Sequence, residues 1–258
     1  MKRTFIARAD DFGSAQAANA AILEALTQGC LIRNVSCMAP GPHIARDAEA
    51  LRAFAARVDL GLHLTVNSEW DTVAWTPCGP PAAAAPLLDR RGRFYQTGEA
   101  LAAAAPPVEA VLREASAQLD RLTGLGLPIT YLDGHMFPYR FLPGLDAALR
   151  QWCREKGLLY AAPFDRFYAG GPAFGPTYAA FSQATDRWLR ALAAPVTLYI
   201  IHPAKLSHET CAFSNGSFPP GVVAWERELE YRSALDAAWH ARLASLTPVR
   251  FRDLAQEE

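Results

Sequence analysis

Six polar positions stand out by residue type and by placement. They are the adjacent pair Asp10-Asp11, His63 in GLHLTVN, Asp133 and His135 in YLDGH, and His202 in LYIIHP. Adjacent carboxylates repel one another, and a bound cation is a natural way to keep both ionised. One carboxylate and two imidazoles brought together form an oxygen–nitrogen site that suits catalytic zinc or another divalent first-row metal with open coordination positions. Each feature has a plainer explanation when taken alone. Asp10-Asp11 suits a helix cap, where carboxylates accept free backbone N–H groups. A lone His63 or His135 is more often a hydrogen-bonded core residue, and His202 before Pro203 reads equally well as a strand end. What favours a site is that all of them fall where apolar strands finish.

In an extended strand neighbouring side chains point to opposite faces. Asp10 and Asp11 therefore share one mouth only where the chain bends, which Gly13 permits. Asp133 lies two residues before His135 on the same strand face and is placed to orient a ligand imidazole from behind. The remaining histidines read as turn (His43), loop (His208) and helix-surface (His240) residues.

The elements that must position these groups alternate along the chain. Thr4–Ala9 reads as a strand and Ser14–Gln28 as a helix, with Ser14 as N-cap and Gly29 as stop. Strands follow at Leu31–Met38 and Val58–Val66, separated by an Ala/Arg-rich helix to Arg57. A helix over Val108–Leu122, a strand at Ile129–Asp133 and a helix at Leu145–Lys156 come next. Then come a short strand at Leu158–Ala161, a helix at Asp186–Ala193 and a buried strand at Val196–Ile201. A last helix over Trp225–Leu246 and a short strand at Val249–Phe251 complete the pattern. About seven strands, all but the last followed by a helix, predict an α/β fold with parallel strands, and a distorted (β/α) barrel in particular. No Gly-x-Gly-x-x-Gly follows the first strand, which disfavours a dinucleotide-binding sheet. In such folds ligands gather at the C-terminal ends of the strands, where the six residues fall. Three stretches break the alternation, near 70–107, 164–181 and 207–221. Their aromatic content suits either the filling of an outer core or the covering of a substrate.

The chain has 258 residues, 25 Lys+Arg against 26 Asp+Glu, and a formal net charge of -1, which leaves no basic excess for nucleic acid. Hydrophobic residues make up 51% and charged residues 20%, a globular balance that excludes wholesale disorder. The length suits one barrel domain over residues 1–258, the three irregular stretches being insertions. No run of about 18 apolar residues predicts a membrane span, and MKRTFIARADDFG holds no signal-peptide core. The cysteines, at 30, 37, 78, 153 and 211, are odd in number and form no Cys-x-x-Cys. Inert thiols in a reducing, cytoplasmic setting are expected.

Taken together, ADDFG after the first strand, GLHLTVN after the third, then LDGH and a strand-final IHP resemble the YdjC/ChbG-like carbohydrate deacetylases. The likeness runs in order from Ala9 to Pro203, with the loops unmatched. It implies a distorted NodB/YdjC-like (β/α) barrel that binds one divalent metal ion, zinc or magnesium, and removes N-acetyl groups from small amino-sugars or oligosaccharides. Carried over, the metal ligands are Asp11, His63 and His135, with Asp10 as general base and His202 as general acid. Three positions depart from the family pattern. Phe137 stands where many members carry a second histidine, Ala204 where Gly is common, and Arg8 where Asn is frequent. The expected partner is a small carbohydrate, alone or with a homodimer of the chain, and neither nucleic acid nor membrane. Rival readings are another metal-dependent sugar isomerase or hydrolase, a glycan-binding barrel without turnover, and a two-His, one-carboxylate iron enzyme. The last lacks the usual His-x-Asp spacing.

Overall fold

The computed structural model describes residues 3–243 and 246–254. Seven strands form one sheet among these residues: β1 (Arg3–Phe12), β2 (Asn34–Cys37), β3 (Asp59–Leu64), β4 (Ile129–Gly134), β5 (Leu159–Tyr160), β6 (Val196–Ile201) and β7 (Leu246–Pro248). Every pairing between them is parallel, in the order β5-β4-β3-β2-β1-β6, with β7 beside the first residues of β1. The helices are α1 (Gln16–Gln28), α2 (Ile44–Arg52), α3 (Pro81–Ala84), α4 (Gly98–Ala104), α5 (Val108–Gly124), α6 (Leu145–Lys156), α7 (Tyr178–Ala191), α8 (His208–Cys211), α9 (Val222–Leu235), α10 (Ala237–Arg242) and α11 (Phe251–Leu254). None of them is long and apolar enough to cross a membrane.

The parallel sheet curls into a half-barrel with helices outside it, the expected distorted barrel. Between β5 and β6 the chain runs as a 3-10 turn over Ala162–Phe167, and a single parallel bridge from Tyr168 to Leu198 stands where a full strand would close the wall. Burial explains the strand sequences. Residues 5–12 of β1 and all of β2 and β3 are buried, as expected of parallel strands covered on both faces, and polar residues such as Arg8, Asp10, Ser36 and His63 are buried among their apolar ones. Gly61 in β3 is required by a neighbour. A Cβ there would fall 2.2 Å from the ring of Tyr131 on β4.

Several boundaries differ from the sequence expectation for identifiable reasons. Ser14 does not cap α1; Ala15 takes the N-cap position, and Glu209, distant in sequence, accepts the Gln16 N–H at 2.9 Å. The helix expected at Asp186–Ala193 begins at Tyr178, where Thr177 caps it by accepting the Ala180 N–H, and Phe181 anchors it in the core. The long last helix is two helices, interrupted at Asp236, and it starts at Val222 rather than Trp225. The final strand is Leu246–Pro248, pairing with Arg3–Phe5, and residues 251–254, reached by the expected strand, form α11 instead. The irregular stretches contain short helices: α3 and α4 in the first, α8 in the third, with the 3-10 turn and the start of α7 across the second. All five cysteines are free.

Candidate metal centre

Asp10 and Asp11 end β1 on the same side because the bend lies at Asp11 itself. Its φ is +65°, and the register of β1 against β2 shifts between Ala9 and Phe12. A left-handed residue breaks the strand's alternation, and Asp tolerates that conformation better than most side chains. His63 is the penultimate residue of β3, and Asp133 lies directly opposite it on β4. His135 follows β4, and its backbone N–H reaches the Leu64 carbonyl at 3.0 Å. Met136 and Phe137 come next, both at positive φ, so the chain turns sharply straight after the imidazole. His202 follows the last residue of β6. All five of Asp10, Asp11, His63, His135 and His202 line one cleft of about 270 Å³, together with Glu69, Trp70, Phe137, Tyr168 and Arg227.

Within the cleft Asp11 Oδ2 accepts from Arg227 Nη2 at 2.7 Å. Asp11 Oδ1 is buried and makes no hydrogen bond among the described residues. His63 Nε2 stands 3.5 Å from it and His135 Nδ1 3.3 Å, with the two rings edge-to-face at a centroid separation of 5.3 Å. The three ligand atoms of Asp11, His63 and His135 lie within 4.8 Å of one another, so these residues fit a divalent cation by donor chemistry and by the oxygen left over. A second grouping, Asp10, His63 and Asp133, also clusters. Arg8 already occupies its carboxylates, bonding both oxygens of Asp10 at 2.7 and 2.8 Å and Asp133 Oδ2 at 2.9 Å.

Behind these groups lies a polar layer. Asp133 Oδ1 meets His63 Nδ1 at 2.9 Å, and Asp133 Oδ2 accepts from Ser36 Oγ at 2.9 Å, which in turn lies 2.8 Å from the Tyr131 hydroxyl. Asp133 therefore orients His63 across the strand pair, not His135 along its own strand. Glu69 Oε2 meets His135 Nε2 at 2.9 Å. Glu230 Oε2 accepts the His202 backbone N–H at 2.7 Å. His43 pairs with Glu209 at 2.6 Å and His240 Nε2 lies 2.8 Å from the Ala234 carbonyl. His208 opens α8. None of these three lines the cleft.

The electrostatics follow from burial and partners. Burial raises the Asp11 carboxyl, but the Arg227 guanidinium and the facing rings outweigh it and hold it well below the usual range. Burial opposes charge on both rings, yet Asp133 and Asp10 hold His63 up at about 9, and Glu69 with Asp11 holds His135 up at about 10. His202 goes the other way: burial, with Arg227 and His63 adding to it, lowers its pKa despite Asp11 and Asp10. Burial pushes Glu230 up to about 8.

Sequence reasoning did not single out Glu69, Arg227 or Glu230. Glu69 lies in an irregular stretch whose reach no local pattern sets. The two helix residues did leave a signal, because Val223, Arg227, Glu230 and Ala234 form one buried stripe of α9 at helical spacing. Two charges on a core-facing stripe need a buried partner.

A family model described as a YdjC-like protein matches residues 4–245. A carbohydrate deacetylase of Geobacillus stearothermophilus is 34% identical over 136 residues, 52% of this chain and 50% of that protein. A chitooligosaccharide deacetylase of Klebsiella pneumoniae is 28% identical over 163 residues, 61% of this chain and 58% of that one. The chain thus spans about half the length of the first of these curated relatives and somewhat more of the second. A solved structure from Enterococcus faecalis, described as a cellobiose-phosphate cleavage protein, superposes with a TM-score of 0.76 at 17% identity, covering 98% of this chain and 99% of that one. That likeness extends the fold over nearly the whole length.

Proposed function

The chain belongs to the YdjC-like family, and from that premise we propose that it is a metal-dependent hydrolase. In this reading it removes an N-acetyl group from a small amino-sugar or oligosaccharide. The observation that carries the reading is Asp11 Oδ1, a buried oxygen without a hydrogen bond that faces two imidazole nitrogens. Asp11, His63 and His135 hold one divalent cation, and two nitrogens with one oxygen favour zinc over the oxygen-seeking magnesium. Lewis acidity toward the acetyl carbonyl and toward water is the chemistry such a cation supplies.

The chain's own groups do the rest. Asp10 takes the proton of the attacking water. Arg8 grips both its oxygens from one side, and each oxygen keeps a further lone pair for that task. Its charge is held by a residue that cannot itself give up a proton. His202, across the cleft, gives a proton to the departing sugar nitrogen, since an amine leaves poorly as an anion. Its lowered pKa makes any proton on the ring readily transferred. Arg227 fixes Asp11 by Oδ2 and so leaves Oδ1 turned toward the rings.

The test is acetate release from N-acetylated mono- and oligosaccharides, measured beside metal content. Asp10→Asn and His202→Ala should retain the cation and lose about two or more orders of magnitude in rate. Asp11→Ala should lose the cation. Near-normal turnover in both of the first two variants sinks the assignment, as does unchanged metal stoichiometry in the third.

A further inference from the structure

The two imidazoles present opposite nitrogens to Asp11. His63 offers Nε2 and turns Nδ1 to Asp133; His135 offers Nδ1 and turns Nε2 to Glu69. A neutral imidazole carries one N–H, and the nitrogen that donates its lone pair to a cation must be the other one. For His135 to bind through Nδ1, its proton has to sit on Nε2 and needs an acceptor there.

We infer that Glu69 is the positioning residue that holds the His135 ring and its Nε2 proton, so that Nδ1 keeps a free lone pair aimed at Asp11. This rests on the reading of Asp11, His63 and His135 as the ligand set. The contact is 2.9 Å between side chains only 12% and 7% exposed. In so dry a setting a charge-assisted hydrogen bond is strong and directional.

Glu69 lies on no strand or helix, but its backbone is tethered on both sides. Asn215 Nδ2 donates to its carbonyl at 3.1 Å, the Ser68 N–H reaches Tyr95 at 3.0 Å, and the Asp71 N–H reaches Ser214 at 2.9 Å. Those bonds run to the stretch before α4 and to the stretch after α8. Glu69 thus does for His135, from a tethered loop, what Asp133 does for His63 from a strand. Outer partners of this kind set metal affinity more than they set substrate contacts.

The experiment measures zinc affinity by competition with a chromophoric chelator in wild type, Glu69→Leu, Glu69→Gln and His135→Ala. Glu69→Leu removes the acceptor and should weaken zinc binding by about 10- to 100-fold. Glu69→Gln keeps an acceptor oxygen without its charge and should fall between Leu and wild type. The zinc-loaded wild type should also show a slowly exchanging imidazole N–H proton that Glu69→Leu lacks. Wild-type affinity in Glu69→Leu, with binding lost in His135→Ala, overturns the role of Glu69 and leaves the ligand set standing. Undiminished binding in His135→Ala overturns both. If Glu69→Leu does not accumulate as folded protein, Glu69→Gln decides: wild-type zinc affinity together with an unchanged imidazole N–H signal overturns the inference.

Discussion

The cleft is built in two halves that differ in what holds them. On one side Arg8, Ser36, His63, Tyr131 and Asp133 all stand on β1 to β4 of one sheet: His63 is directly opposite Asp133 on the neighbouring strand, while Arg8 reaches Asp133, and Ser36 reaches Tyr131 and Asp133, across the strands between them. On the other side Glu69, Arg227 and Glu230 come from a tethered loop and from α9, and they reach Asp11, His135 and His202 across long sequence separations. The first half is fixed once the sheet forms. The second is fixed only when separate segments dock on it. A sheet-borne half therefore governs whether the protein folds, and a docked half governs how the site is tuned.

Substitutions can break or sharpen that contrast. The largest effect belongs to Arg8, which is 1% exposed and bridges two buried carboxylates. Arg8→Leu leaves Asp10 without its guanidinium partner and Asp133 with only His63 and Ser36, and should cost about 3–5 kcal/mol in denaturant unfolding; a loss below 1 kcal/mol would refute the sheet-borne half as the folding determinant. Arg227→Met strips Asp11 of its guanidinium partner within the cleft. It should cost less, about 1–3 kcal/mol, and added zinc should restore much of that loss by binding the native state. A cost equal to that of Arg8→Leu, unaltered by zinc, would put the two halves on the same footing.

Glu230 offers a pH test. Its folded pKa of about 8 lies above the ordinary glutamate value. The folded chain therefore binds more protons than the unfolded one between those values, and stability falls as pH rises through that window. Glu230→Gln keeps an acceptor for the His202 N–H and cannot titrate. Measured with a chelator present, its stability relative to wild type should grow by about 1–3 kcal/mol from pH 5 to pH 8, and a pH-independent difference would count against the burial argument. Smallest of all, Tyr131→Phe removes one hydroxyl from Ser36, which keeps its bond to Asp133. A loss of about 1 kcal/mol in thermal or denaturant unfolding is expected, with zinc affinity unchanged.

The same contrast explains what could be read from the sequence. Asp10, Asp11, His63, Asp133, His135 and His202 were legible because each closes or immediately follows an apolar strand, and a parallel fold brings strand ends to one edge. That Asp133 serves His63 rather than His135 was not legible, since it depends on register between strands separated by 64 residues of helix and loop. Glu69 was hidden because its place is set by bonds to Tyr95, Ser214 and Asn215 rather than by any local period. The start of α7 was within reach, as Thr177 before a run of helix formers is an ordinary capping signal. The capping of α1 by Glu209 was not, because the acceptor is 193 residues away.

The left-handed backbone at Asp11 limits which residues that position can host. Asparagine and glycine adopt such a conformation readily, whereas alanine is strained there and β-branched side chains more so. Asp11→Gly is accordingly the cleaner deletion of the carboxylate, because it removes the ligand without taxing the chain, and Asp11→Asn the cleaner removal of charge. A drifting sequence that keeps this bend but abandons the chemistry has the same short route open to it, toward glycine or asparagine at position 11.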